Sequence, residues 1–250
     1  MQAHGDGPAA AGREPAGAQD AEWERLAAGV VRRRLPRWDA TVGAVAGGDG
    51  ALVIDTGASL REGAAVRAGV TGVLDRRVAW VVLTHPHFDH VFGTAVFAGA
   101  QVYGAVGVDA LLARGARTLR DDAVANGLPE REAAEAADVL VRPHRTVSGR
   151  LTLDLGGREV VVTNLGPAHT EHDLAVLVPG CPDVVFCGDL VEESGEPQAG
   201  PDARPARWPA ALDRLLALGG EEALYVPGHG AVVDAAFVRA QRDELARRFA

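Results

Sequence analysis

The segment that most constrains this chain is 78–90, where the apolar run Val-Ala-Trp-Val-Val-Leu passes directly into Thr84-His85-Pro86-His87-Phe88-Asp89-His90. A short, valine-rich apolar run of this length reads as a buried strand. Four side chains able to bind a metal then follow within six positions. Alternation along extended chain sends His85 and His87 to one side. As the chain turns, Asp89 and His90 face a second point. Imidazole nitrogen and carboxylate oxygen are the ligands that suit zinc and its first-row neighbours.

Three further candidates are expected at turns that follow strands. They are His169 in Gly166-Pro167-Ala168-His169-Thr170, Asp189 in Cys187-Gly188-Asp189, and His229 in Pro227-Gly228-His229-Gly230. Glycine beside a ligand lets backbone approach a crowded site closely. One histidine near a strand end means little, but five of the eight histidines fall in these motifs. A metal site accounts for that better than five unrelated core or surface histidines. The other three read more blandly: His4 belongs to the N-terminal leader, His144 lies among Arg142 and Arg145 in a solvated basic turn, and His172 reads equally as a rim residue or a substrate contact. Asp173 reads as an orienting group for the His169 loop or as a cap on local backbone. Cys187 reads as a small core residue of a strand.

Along the chain, 41–46 and 51–54 are short apolar runs separated by Gly47-Gly48-Asp49-Gly50, a hairpin signal. Asp55-Thr56-Gly57 ends the second run, and a helix is expected over 60–68. A strand at 101–103 is followed by helix through 106–141, broken at Asn126-Gly127-Leu128-Pro129. A second hairpin joins 151–155 to 160–164 across Gly156-Gly157, and strands follow at 174–178 and 184–187. A proline-spaced loop covers 195–209, then a helix over 210–218, a strand at 223–226 and a helix over 233–248. Hairpins, then helices, then hairpins and helices again imply an α+β chain of mixed layers, not an alternating parallel sheet. Residues 1–20, rich in Ala, Gly and Pro without an apolar centre, read as a disordered leader before one domain at 21–250.

A formal net charge of -9 argues against nucleic acid or an anionic membrane as partner. The chain has no lysine, so every fixed cation is an arginine. Two cysteines are too few for a disulfide framework. The apolar run at 78–83 is far short of a membrane span. A cytoplasmic location is the expectation by default.

The ordered set His-x-His-x-Asp-His, a lone His before Thr, Gly-Asp and Gly-His-Gly resembles the metallo-β-lactamase superfamily, over roughly residues 38–235. Asp55-Thr56-Gly57 matches the family's early Asp motif. The resemblance implies a four-layer αββα sandwich with the site at one edge between the sheets. It implies that His85, His87 and His169 bind a first metal, that Asp89, His90 and His229 bind a second, and that Asp189 bridges them. Asp55 would accept a hydrogen bond from a ligand histidine and fix its tautomer. The implied cofactors are two divalent ions, zinc first, with iron or manganese also compatible.

The implied activity is hydrolysis of a small-molecule ester, thioester, lactone or amide-type substrate. Two ions about 3.5–4 Å apart lower the pKa of a shared water toward neutrality, and the resulting hydroxide attacks. Asp89 would take or relay a proton. The ligand set is glyoxalase II-like, yet only twenty residues follow Gly230, too few for that enzyme's C-terminal helical substrate domain. The alternative is a persulfide dioxygenase-like oxidoreductase with a single iron on His85, His169 and Asp189. A non-catalytic binding member of the fold would be expected to have lost ligands, and all seven are present. Residues 106–141 and 195–209 are the candidate pocket walls. Contacts to an anionic group would fall to Arg117, Arg120, Arg142 or Arg145, with His172 as a further substrate contact.

Overall fold

The computed structural model describes residues 22–249, so the 1–20 leader and His4 lie outside the described residues. The first half builds one seven-stranded sheet in sequential order. It runs through β1 (Glu24–Ala27), β2 (Val30–Arg34), β3 (Thr41–Ala46), β4 (Ala51–Ile54), β5 (Val78–Val82), β6 (Gln101–Ala105) and β7 (Arg145–Val147). Helix α1 (Leu60–Leu74) connects β4 to β5, and the short α2 (Phe88–Val91) follows β5. Helices α3 (Val108–Ala125) and α4 (Glu130–Asp138) lie between β6 and β7. The second half builds a five-stranded sheet in the order β12-β11-β10-β9-β8. Its strands are β8 (Arg150–Asp154), β9 (Glu159–Asn164), β10 (Leu174–Val178), β11 (Val184–Glu192) and β12 (Leu224–His229), with α5 (Trp208–Gly219) before β12 and α6 (Ala235–Arg248) after it.

The second sheet shows how sequence dictates layering. Side chains alternate faces along a strand. Val160, Val162, Leu174, Val176, Val184 and Phe186 therefore join the core shared with the first sheet. Their neighbours Val161, Ala175, Leu177, Val185 and Cys187 pack instead with Trp208, Leu212, Leu215, Val238 and Leu245 of α5 and α6. In the first sheet, β4 is buried at every position, because the second sheet covers one face and helices the other. At Gly43 a Cβ would collide with the Phe186 ring, so glycine sets how closely the sheets approach. The result is the α+β, four-layer αββα sandwich expected from the resemblance.

The topology also places the site. β4 and β5 are parallel, as are β11 and β12, so the carboxyl ends of each pair reach the same edge. Asp55 follows β4, Thr84 and His85 follow β5, Asp189 lies in β11, and His229 ends β12.

Several expectations need revision. β1 and β2 were not anticipated, because Arg25, Arg32, Arg33 and Arg34 interrupt the apolar pattern of a strand at the sheet edge. β7, three residues with two exposed, was missed for the same reason. α1 continues past 68 to Leu74. α5 starts at Trp208 rather than 210, since proline is tolerated in a first helical turn. Asp189, expected in a turn, sits inside β11, which runs on to Glu192. The β11–β12 register shifts on both sides of Gly188, whose φ of 53° lets the strand bulge there and re-aim Asp189. Among the described residues no helix is long and apolar enough to cross a membrane.

Candidate metal centre

The site is assembled from the strand ends inward. Asp55 adopts φ 58°, a left-handed conformation that aspartate tolerates better than most residues. That turn aims its carboxylate across to the end of β5. Oδ1 accepts from Thr84 N at 2.8 Å, and Oδ2 accepts from Thr84 Oγ1 at 2.7 Å and from His90 Nδ1 at 2.9 Å. The Thr84 hydroxyl, having donated to Asp55, receives His85 Nδ1 at 3.0 Å. One buried carboxylate thereby turns Nε2 of both His85 and His90 inward.

The other three rings are oriented in the same way by partners far away in sequence. His229 Nδ1 donates to Trp38 O at 2.7 Å, and His169 Nδ1 to Gln198 O at 3.0 Å. His87 is turned the opposite way: Nε2 meets Asp202 Oδ2 at 3.1 Å, and Nδ1 faces inward, 3.1 Å from His169 Nε2. The structure thus brings all seven motif residues together. His85, His87, His169 and Asp189 form one group and Asp89, His90 and His229 another, with ligand atoms in each within 4.8 Å of one another. Asp189 touches both. Oδ2 lies 3.6, 3.4 and 3.3 Å from Nε2 of His85, His169 and His229, and Oδ1 lies 3.2 Å from His90 Nε2. Asp89 Oδ2 is 3.4 Å from His229 Nε2 and 3.6 Å from His90 Nε2.

This donor set fits divalent metal. His85 Nε2 and Asp189 Oδ1 are buried and make no hydrogen bond, an arrangement that is costly for polar atoms unless a cation engages them. Neutral imidazoles and carboxylates with every outward nitrogen engaged are what such a cation requires.

Among the side chains themselves charge is divided unevenly. Burial holds His85 well below the ordinary imidazole range and His169 down to about 4. Burial opposes the charged form of His90 and His229 too, but Asp189 and Asp89 outweigh it. His90 sits well above its ordinary value and His229 rises to about 10. Burial would raise Asp189, and His229, His90 and His85 together hold it well below the carboxylate range.

A cavity of about 800 Å³ opens beside these ligands. One wall is a single face of α3, with Leu111, Leu119 and Asp122; another is the segment from Ser194 to Asp202; Trp38 and Phe88 complete the apolar side. Both segments singled out as walls do line it. Arg117, Arg120, Arg142, Arg145 and His172 are not in its lining. Arg142 is exposed, and the half-buried His172 ring packs against Gly107. Asp173 accepts from Ala168 N, Thr170 N and Thr170 Oγ1, bracing the His169 loop through its backbone. Its burial, opposed by those bonds from Thr170, lifts its pKa to about 7. His144 is exposed and accepts from Val102 N. Cys187 is buried in β11. Sequence reasoning did not find Thr84, Asp202, Trp38 or Gln198 as ring-orienting partners. Only Thr84, adjacent to the motif, carried a local signal.

The sequence matches the family model of the metallo-beta-lactamase superfamily over residues 35–229. The chain belongs to that superfamily. Solved structures with similar folds include a metallo-beta-lactamase from Pontibacter korlensis, 21% identical, with 89% of this chain and 99% of that one covered and a TM-score of 0.69. The metallo-beta-lactamase FIM-1 from Pseudomonas aeruginosa, in its mono-zinc form, is 21% identical, with 91% and 95% covered and a TM-score of 0.67. The DIM-1 metallo-beta-lactamase is 17% identical, with 92% and 99% covered and a TM-score of 0.70. Identity this low speaks to the fold.

Proposed function

We propose that the chain is a metal-dependent hydrolase acting on a small-molecule ester, thioester, lactone or amide. His85, His87 and His169 would hold one divalent ion and Asp89, His90 and His229 a second, with Asp189 within reach of both groups. The observation that carries this reading is the convergence of seven ligand side chains, the five imidazole rings among them each fixed from behind by a hydrogen bond. Zinc is the proposed metal, and the mono-zinc form of FIM-1 supports that choice. A cytoplasmic setting belongs to the same proposal, supported by the two unpaired cysteines, one of them exposed.

Bound there, such a pair activates water near neutral pH and polarises the scissile carbonyl. The chain's own part is to orient and exclude. Asp55, Asp202 and the carbonyls of Trp38 and Gln198 hold the imidazoles in one tautomer each, so no reorganisation is needed during the reaction. Trp38, Phe88, Leu111 and Leu119 keep water from the apolar side of the cavity. Asp89 lines that cavity beside His229 and is placed to take a proton and pass it to the leaving group.

Elemental analysis of the purified protein tests the reading together with Asp189→Ala. About two zinc per chain, with metal halved or lost and hydrolysis abolished in the variant, is the expected result. One iron per chain with oxygen uptake on persulfides would overturn it, as would a variant that keeps both ions and full hydrolysis.

A further inference from the structure

We infer that the cavity selects its substrate by charge, taking acyl compounds that are neutral or cationic away from the scissile bond and rejecting those that carry a carboxylate or phosphate there. For its chemistry the inference rests on the hydrolase reading; for selectivity it rests on the lining. Asp89, Asp122, Asp189, Glu192, Glu196 and Asp202 all line the cavity, and among the described residues no arginine does. Lysine is absent from the whole chain.

Four of these carboxylates have other work. Asp89 and Asp189 face the histidine cluster, Asp202 holds His87, and Glu196 lies 3.6 Å from Arg248. Glu192 and Asp122 remain to meet the substrate. Glu192 is 9% exposed. It lies three residues beyond Asp189 on β11, with Oε1 receiving Ser194 N at 3.2 Å and Ser194 Oγ at 2.7 Å. Asp122 projects from α3, its Oδ1 bonded to Asn126 Nδ2 at 3.2 Å.

Arg37 and Arg204, which lie close in sequence to the lining residues Trp38 and Asp202, have partners of their own. Arg204 pairs with Glu171. Arg37 stacks 5.2 Å from the centre of the Trp38 ring and lies 3.7 Å from Glu132. An anionic group remote from the metal ligands therefore finds no counter-charge in the described lining. It meets repulsion from the nearly buried Glu192, where water screens weakly, and a smaller, better-screened repulsion from the exposed Asp122. The apolar side, Trp38, Phe88, Leu111 and Leu119, accepts a hydrophobic body. A hydrophobic acyl compound, uncharged or bearing an amine, fits this combination.

The test uses three benzyl thiols that differ only in the para substituent: aminomethyl, methyl or carboxymethyl. Calorimetry on the zinc-loaded protein should rank them cationic, neutral, anionic, with about tenfold between the extremes. Glu192→Gln and Asp122→Asn should each narrow that ratio, with melting curves verifying that the variants fold. Carboxymethyl binding as tight as methyl overturns the inference, as does a ratio unmoved by both substitutions or no binding by any of the three. Thioacetates of the same thiols separate the two claims. If none is hydrolysed but the thiols keep their order, the hydrolase reading fails and charge selection stands. If the anionic thioacetate is cleaved best, charge selection fails and the hydrolase reading stands.

Discussion

The Asp55–Thr84 pair offers a way to weaken the two ligand groups separately. Asp55→Asn keeps shape and tolerates the left-handed backbone, but it replaces one acceptor oxygen with a donating NH2. If that NH2 faces His90 Nδ1 and Thr84 Oγ1, both rings lose the acceptor that fixes them. If it faces Thr84 N, two buried donors oppose each other. A lost hydrogen bond to a charged group costs about 1.5–3 kcal/mol, which agrees with the 10–100-fold loss of metal affinity typical when a ligand's outer partner is removed. Thr84→Val acts on one branch only. Asp55 still receives Thr84 N and His90 Nδ1, while His85 Nδ1 is left buried without an acceptor. Titration of metal-depleted protein with zinc against a chromophoric chelator resolves the two stepwise constants. Asp55→Asn should weaken both, and Thr84→Val only the ion on His85, by about tenfold. Equal weakening of both constants in Thr84→Val refutes the relay, and so does an Asp55→Asn variant with both constants within about threefold of the parent.

Metal uptake should release protons. Without a cation His229, near 10, and His90, well above its ordinary value, carry protons at pH 7, and at His87 burial is outweighed by Asp202, which raises it as well. Each must lose its proton to bind, whereas His85 and His169 are already neutral. Loading at pH 7 is thus expected to release at least about two protons and to tighten as pH rises. Calorimetry in buffers of different ionisation enthalpy counts them, and no release refutes the assignment. At Gly228 a Cβ would collide with Asp189 Oδ1. Gly228→Ala should therefore lower hydrolysis by about 100-fold through displacement of Asp189 and weaken zinc retention; unchanged zinc content and rate would count against it.

The sequence was most legible where ligands are neighbours. His85, His87, Asp89 and His90 declare themselves in one short segment, and His169, Asp189 and His229 each carry a glycine or threonine signature beside them. What could not be read was whatever depends on two distant segments meeting. His87 and Asp202 are 115 positions apart, and His229 meets the carbonyl of Trp38 191 positions earlier. Arg32 stands in the basic run Arg32-Arg33-Arg34, where the sequence alone carries no sign of burial. It is 4% exposed, and its Nη1 donates to Gly230 O at 2.9 Å, tying the unanticipated β2 to the turn after His229. Local pattern reports only whether a residue is polar, whereas burial with a partner is a property of the packed sheets.

That distinction bears on how the centre is held together. The partners fixing the five rings come from the end of β4, the end of β5, the segment after β2 and the 194–202 segment, so both sheets contribute. Neither sheet alone could orient a complete ligand group: His85 and His87 depend on Asp189 and His169 from the second sheet, and His229 depends on Trp38 from the first. Packing Phe186 against Gly43, within the core that the two sheets share, is therefore what sets the distances between ligand atoms. A substitution that wedges the sheets apart acts on metal retention before it unfolds the chain, because ligation tolerates displacements of only a few tenths of an ångström and hydrophobic contacts yield more gradually. The residues that govern the centre thus extend into the core well beyond the seven that touch the ions.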